Sequence, residues 1–465
     1  MLPIHTADQV RAADAAAMAG LPEGELMLRA AQGLAQVLRE ELSGRPSSAL
    51  LLVGPGNNGG DALYAGAMLA AEGVPVTAWR ASDSCHMGGW EAYVDAGGRE
   101  IDHAGARGLL GSAGIVVDGV YGVGARAGLP EHVAQMAAAC RESGARVVAV
   151  DMPSGLEADS CAVATDAFAA ARTVSFGTYK QCQFLEPARS RCGEVTLVGI
   201  GLDPAAAGVV AWEREDVAAA WPVPDATSDK YARGVVGVDT GSPDYPGAGV
   251  LSTLGAVYAG AGMVRSLGAE AVFEAVSRIL PNVVRADGRV QAWLAGSGWG
   301  SHHGDRLAEL LDIGLPIVVD ADALSQVPTG VNRGDVLMTP HAGELARLLE
   351  LERSAVTADP VGAVRSAVKR FGTTVLLKGA TQYVSGPGDD LVHLAVPGPA
   401  WTAQAGSGDV LAGICTTLLA AGLDPIAAAV CGASIQAMTA AAHPGPYPPQ
   451  DLARMLPETI ASLRG

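Results

Sequence analysis

The run Ala49-Leu50-Leu51-Leu52-Val53 passes directly into Gly54-Pro55-Gly56-Asn57-Asn58-Gly59-Gly60-Asp61, and small apolar residues then continue to Glu72. Unbroken apolar character over so few residues predicts a buried strand. Strand, glycine loop and helix in direct succession is the arrangement of a doubly wound α/β sheet, whose ligands bind at the carboxyl edge. The helix behind such a loop starts with unpaired N–H groups and a positive dipole end, which suit a phosphate. A structural tight turn needs about two glycines. The loop has four, with two asparagines and an aspartate. Asparagine adds an amide suited to phosphate and a neutral oxygen suited to a monovalent cation.

The same alternation continues along the chain. Val74–Trp79, Ile115–Asp118 and Val147–Asp151 read as strands, and the last two end in aspartate. Glycine-rich Gly119-Val120-Tyr121-Gly122-Val123-Gly124 follows Asp118, and Met152-Pro153-Ser154-Gly155 follows Asp151. One strand-end aspartate is an ordinary cap or turn former. Two beside a third glycine loop favour a shared site. Val195–Ile200 reads as the last strand of this half, and the stretch around Trp221-Pro222-Val223-Pro224-Asp225 as a linker. The expected division is therefore 1–212, a linker at 213–228, and 229–465.

The second half repeats the pattern with Gly234–Val238, a glycine loop at 241–249, Val318–Leu324, Val336–Glu344 and Thr374–Thr381. It closes on Gly406-Ser407-Gly408-Asp409, followed by an uncharged apolar run that predicts a buried helix. Asp409 could take a proton from a hydroxyl held beside a bound anion, or could simply be an N-cap. Taken singly, His341 is a helix-start residue, Lys378 a solvated strand-end charge, and Asp320 and Asp322 are caps. His302-His303 lack metal-ligand spacing and read as loop residues.

A chain of 465 residues suits two domains of about 200–250 residues. Sixty glycines against 5% aromatics favour α/β layers with close helix–sheet packing. The net charge of −18 argues against nucleic acid and anionic membrane as partners, yet leaves room for local phosphate binding by backbone amides. Seven cysteines, with no C-x-x-C pair, read as reduced thiols of a cytoplasmic protein. The N-terminus lacks a basic segment followed by an apolar core, so no signal peptide is expected. Val410–Leu423 falls short of a membrane span.

Asn57-Asn58-Gly59-Gly60-Asp61, Asp118–Gly124 and Asp151-Met152-Pro153-Ser154-Gly155 closely resemble three signatures of NAD(P)H-hydrate epimerases. The resemblance implies a Rossmann-like three-layer sandwich. Asn57 to Asp61, Gly122, Val123, Gly124, Ala125, Arg126, Ala127, Gly128 and Asp151 would hold the hydrate there. It further implies potassium at Asn58, Asp118 and Ser154, and an acid–base pair of Asp151 and Lys180. Ala62 and Tyr179 stand where the family commonly has glycine and proline.

In the second half Gly247-Ala248, Gly296-Ser297-Gly298-Trp299-Gly300, Asp320–Leu324, Thr339–Glu344, Lys378-Gly379-Ala380-Thr381 and Gly406–Asp409 resemble the ADP- or ATP-dependent NAD(P)H-hydrate dehydratases, which are ribokinase-like α/β proteins. The resemblance places Ala248, Gly298, His341 and Asp409 around the hydrate. Lys378, Gly379, Ala380, Thr381, Gln382 and Gly408 would meet the nucleotide, and Asp409 would activate the hydroxyl. Trp299 replaces the commoner leucine. Magnesium and ADP are the implied cofactors, with ATP open, and a homo-oligomer acting on NADHX or NADPHX is expected. Two other readings stay open. One is a ribokinase-superfamily kinase making a stable phosphate ester, with a regulatory nucleotide-binding first domain. The other is a nucleotide sensor without turnover.

Overall fold

The computed structural model describes residues 1–300 and 303–464, in two compact units: Pro3–Gly208, and a second from Val209 onward that also takes Met1–Leu2. Each is α/β, with a largely parallel sheet, as the alternation along the chain predicts. In the first, β1 (Leu2–His5) is followed by β2 (Ala49–Val53), β3 (Val76–Arg80), β4 (Arg99–Glu100), β5 (Ile115–Gly119), β6 (Val147–Val150), β7 (Arg172–Phe176), β8 (Tyr179–Lys180) and β9 (Glu194–Val198). Seven of these form one sheet in the order β4-β3-β2-β5-β6-β7-β9, every pair parallel.

The unbroken apolar run of β2 has a direct cause. Leu51 and Val53 enter a core with Leu34, Leu38 and Leu63 of the helices Glu25–Leu42 and Asn57–Ala71. Leu50 and Leu52 point the other way, against Ala106, Val133 and Met136 of the helices His103–Leu109 and Glu131–Ser143. With both faces covered, a polar residue at either register would lose its water without gaining a partner.

The second unit contains β10 (Val209–Ala211), β11 (Val235–Asp239), β12 (Met263–Ser266), β13 (Ala292–Ala295), β14 (Ile317–Val319), β15 (Val336–Met338), β16 (Thr374–Leu377), β17 (Tyr383–Ser385) and β18 (Val392–Leu394). Their order is β12-β11-β13-β14-β15-β16-β17-β18-β10. From β12 to β16 all pairs are parallel, so Asp239, Gly296, Asp320, Thr339 and Lys378 follow strand ends along one edge. The strand β17 runs antiparallel to both β16 and β18.

The helix Ser407–Ala420 is buried without a break from Val410 to Ala420, in agreement with its apolar sequence. It packs against the helix Pro246–Tyr258 at backbone distance. A Cβ on Gly255 would stand 2.2 Å from the Val410 carbonyl oxygen, and one on Gly413 would stand 2.1 Å from that of Ser252. Among the described residues one helix, Pro425–Ala442, is long and apolar enough to cross a membrane; most of it lies inside this core.

The segment 213–228 differs from the expected linker. Arg214–Ala220 is a helix, and Val217 and Trp221 lie in the core of the second unit. The cause is burial: a valine and a tryptophan four residues apart share one helical face, which outweighs the charges around them. The strand β10, expected in the first domain, pairs with β18 and belongs to the second unit.

Candidate functional site

In the first unit the loop after β2 is shorter than the sequence suggests. Asn57 already opens the helix Asn57–Ala71, with Gly56 as its N-cap, so Asn57, Asn58, Gly59 and Gly60 lie in its first turn. Among the described residues the amides of Asn57, Asn58 and Gly59 are the unpaired donors of a 15-residue helix, while that of Gly60 donates to Gly56 O at 3.2 Å. The glycines here serve close approach: a Cβ on Gly59 would lie 2.2 Å from the Gly54 carbonyl oxygen.

Asn58 Nδ2 donates to the carbonyls of Val150 (2.6 Å) and Tyr121 (3.1 Å), tying the helix start to the ends of β5 and β6. Asp118 at the end of β5 accepts from Ser154 Oγ (2.6 Å) and from the Ser154 amide (2.8 Å). Ser154 Oγ also lies 3.3 Å from the Tyr121 carbonyl that Asn58 reaches, so Asn58, Asp118 and Ser154 meet around one point. Asp118 is fully buried with no cationic partner among the described residues, and burial pushes its carboxyl up to about 6, against the opposing hydrogen bonds of Ser154. A buried anion among neutral oxygens suits a weakly hydrated cation.

Asp151 follows β6 with φ 65°, a left-handed conformation that costs a non-glycine residue about 1 kcal/mol. Two contacts hold it there: its amide donates to Val174 O (2.7 Å), and Gln183 Nε2 donates to its carbonyl (2.7 Å). The twist aims the carboxylate at Lys180, whose Nζ forms a buried ion pair with Asp151 Oδ1 and also donates to Ser175 Oγ and Phe176 O, both at 3.0 Å. Tyr179, edge-on to Phe184, does not turn Lys180 away. Asp61 is buried in the same cluster, and burial followed by the charges of Asp151 and Asp14 pushes its carboxyl well up. Asp14, on the helix Ala7–Gly20, is raised by burial and by Asp151. Nothing in the sequence marks Asp14, because it lies far away in a helix of ordinary composition. Further along, Gly122 to Gly128 form turns, with Arg126 and Ala127 exposed; the Gly128 amide donates to Gly155 O at 3.0 Å.

In the second unit Gly406, at φ 92°, is the N-cap of the helix Ser407–Ala420, which puts Asp409 in the first turn with no capping bond. The N-cap reading of Asp409 is thereby excluded. Its carboxyl is pushed up to about 7 by burial and then by Asp320 and Asp322, against Ser297 and Lys378.

Lys378 is no solvated charge, and Asp320, at the N-cap position of the 3-10 turn Ala321–Gln326, makes no side-chain capping bond. Lys378 Nζ pairs with Asp320 Oδ1 at 2.6 Å, and Thr339 Oγ1 donates to the same oxygen at 2.8 Å. Ser297 Oγ donates to Asp320 Oδ2 at 2.9 Å. Neither Asp320 nor Ser297 carries a role from the sequence alone; the signal for the pair is a strand-end aspartate before a lysine-bearing strand end. A Cβ on Gly408 would lie 3.2 Å from Lys378 Nζ, so glycine leaves that face open. Gly298, at φ 68°, sits against Ala248: a Cβ there would be 2.6 Å from the alanine methyl.

His341 is the N-cap of the helix Ala342–Leu349; its Nδ1 accepts from Gly343 N (3.0 Å) and Glu344 N (3.2 Å). Its Nε2 stands 3.5 Å from Glu344 Oε1, and the ring is more than half exposed. Of the expected nucleotide contacts, Gly379 and Ala380 are exposed beside Lys378, Thr381 is buried, and Gln382 Oε1 is buried without a partner. Trp299 is wholly interior: its indole N–H donates to Asp239 O (2.8 Å) and its ring stacks on His303 at 4.7 Å. The extra bulk relative to leucine is taken up in the interior. His302 lies outside the described residues. All seven cysteines are free thiols.

Comparison with known proteins gives the following. Residues 23–182 match the family described as YjeF-related protein N-terminus, and residues 236–461 match the family described as NAD(P)H-hydrate dehydratase. The chain is 41% identical to a bifunctional NAD(P)H-hydrate repair enzyme of Mycobacterium tuberculosis, over 90% of this chain and 89% of the other. It is 40% identical to one from Mycobacterium leprae, over 94% of each. A ribokinase-like superfamily structure from Enterococcus faecalis covers 55% of this chain and 96% of its own, at 18% identity and a TM-score of 0.50.

Proposed function

The chain belongs to the family of bifunctional NAD(P)H-hydrate repair enzymes, and we propose that its two units divide that work between them. The first, taken as 1–212, interconverts the R and S hydrates. The second, taken as 229–465, dehydrates the S form at the expense of ADP, or of ATP, restoring NADH or NADPH.

In the first unit the hydrate's phosphates lie on the amides of Asn57 to Gly59, beside Gly60, and on the turns from Gly122 to Gly128. The Asp151–Lys180 pair accepts the C6 hydroxyl proton as the C6–N1 ring bond opens, its electrons passing to N1, and returns the proton to that oxygen when the bond re-forms on the other face of C6. Asn58, Asp118 and Ser154 hold potassium, which fixes the loops that carry the substrate.

In the second unit the hydrate lies against Ala248, Gly298 and His341, and the nucleotide along Lys378 to Gln382 and Gly408. Asp409 accepts the proton of the C6 hydroxyl as that oxygen bonds to the terminal phosphorus and the phosphoanhydride bond breaks. The C6–O bond then breaks with its electrons leaving on phosphate, and loss of a C5 proton to the departing phosphate re-forms the ring double bond. Among the described residues no cluster of three or more His, Cys, Asp or Glu side chains forms a metal cage. Magnesium therefore fits as an ion carried mainly on the nucleotide phosphates, where it screens their charge.

The observation that carries this reading is Asp409: a half-buried carboxyl raised to about 7 in the first turn of a glycine-opened helix, beside a lysine. The test is turnover of separated hydrate epimers with ADP and with ATP. S hydrate should regain NADH absorbance with nucleotide alone, and R hydrate only through the first unit. A stable phosphorylated alcohol with no return of absorbance would support the kinase reading instead. Free thiols accord with a cytoplasmic setting.

A further inference from the structure

The turn that holds Lys180 is itself clasped from outside, by a residue that the reading above leaves unused. Lys180 Nζ donates to Ser175 Oγ and to Phe176 O, and Ser175 Oγ in turn donates to Thr178 O at 2.8 Å. That last bond leaves the serine lone pairs for the ammonium group. Between Ser175 and Lys180 the chain turns tightly, with Gly177 at φ 68° and Thr178 N donating to Phe176 O at 2.7 Å. Against this turn stands His5, the almost wholly buried last residue of β1. The strand β1 runs parallel to β8 and sets His5 opposite Lys180, so both side chains leave on one face. His5 Nε2 meets Ala205 O at 3.1 Å, and Nδ1 meets Thr178 Oγ1. A carbonyl only accepts, so Nε2 carries the proton of the neutral ring and the Thr178 hydroxyl donates to Nδ1. Burial, opposed by the bond to Ala205, and then the charge of Lys180 lower the imidazole pKa, which keeps the ring uncharged at neutral pH.

We propose that His5 is a positioning residue for hydrate exchange: through Thr178 it fixes the turn whose serine hydroxyl and carbonyl hold Lys180 on Asp151. This deepens the assignment of Asp151 and Lys180 as the acid–base pair and rests on it. It also brings into the site a strand that precedes the matched region 23–182. His5 acts on the substrate only through Lys180. Its effect falls on proton transfer, because Nζ must stay within hydrogen-bond reach of the carboxylate each time the proton passes. The hydrate's phosphates, on the amides of Asn57 to Gly59, are held independently of it.

The experiment measures R-to-S exchange by the full chain over a range of R-hydrate concentrations. His5→Ala frees the turn and should lower kcat by roughly 10–100-fold while KM stays within about twofold. His5→Asn, whose Oδ1 replaces Nδ1 as the acceptor for Thr178, should recover most of that rate. His5→Leu, similar in bulk but without an acceptor, should not. Thr178→Val should cost about as much as His5→Ala and add little on top of it. If the alanine variant does not fold, Thr178→Val carries the test, with Thr178→Ser as the variant that restores the rate. An unchanged kcat, a KM that rises as kcat falls, or a recovery by leucine equal to that by asparagine overturns the positioning role. Asp151→Asn keeps the two readings apart. If it is inactive while the His5 variants exchange at full rate, only the role of His5 fails; if it still exchanges, the acid–base assignment fails and the role of His5 with it.

Discussion

The two units prepare a carboxylate in opposite ways on similar scaffolds. In the first, Asp151 is in direct contact with Lys180, and both are buried. In the second, the lysine that would neutralise Asp409 is instead bound to Asp320, and Asp409 is left beside two further carboxylates. A direct ion pair suits a proton that must travel in both directions. A carboxylate denied its own cation suits a proton taken once, from a hydroxyl about to be phosphorylated. In the proposed division of roles, similar parts at a sheet edge thus serve different chemistry through one exchange of partners.

The largest effect should come from cutting each unit separately. Asp409→Asn should lower dehydration by roughly 10²–10⁴-fold and spare R-to-S exchange, while Asp151→Asn should do the reverse. Measurement on separated epimers checks both, and loss of both activities from either change would break the division. Next come the lysines. Lys180→Met strands a buried carboxylate and should cost about 3–5 kcal/mol, read from denaturant unfolding, with Asp151→Asn in the same chain recovering most of it. Lys378→Met should cost less, because Asp320 keeps the hydroxyls of Thr339 and Ser297.

The third contrast is in pH. Asp409 must be ionised to accept a proton, and its carboxyl is raised to about 7, so dehydration should climb with pH through that value. Between pH 6 and pH 8 the gain should be about tenfold. A flat profile would show that Asp409 is not the titrating base. The smallest effect concerns potassium. Exchanging it for tetramethylammonium, too bulky for the oxygens of Asn58, Asp118 and Ser154, should slow R-to-S exchange several-fold and leave dehydration unchanged. Equal slowing of both would place the cation elsewhere.

Much of this was legible in the sequence because strands covered on both faces leave unbroken apolar runs. The ends of β2, β5, β6, β11 and β16 could be placed from such runs and the glycines after them. The segment at 213–228 was misread because proline and charge mark a boundary in composition, whereas a buried tryptophan acts only once a core exists to receive it. Asp14 was invisible for a related reason: its meaning depends on Asp61 and Asp151, which only the folded chain brings near. The Asp320–Lys378 pair joins the ends of strands that are not adjacent in the sheet. No spacing along the chain encodes it. At Gly59 the glycine is required by room alone, and at Gly298 by room and a left-handed backbone together.

That constraint reaches furthest at Gly255 and Gly413, where two helices touch main chain to main chain. One helix bears Ala248 and the other Asp409. Welded in this way, the proposed pocket wall and the proposed base stand on one chassis. Alignment between them is therefore set when the chain folds, before any coenzyme arrives.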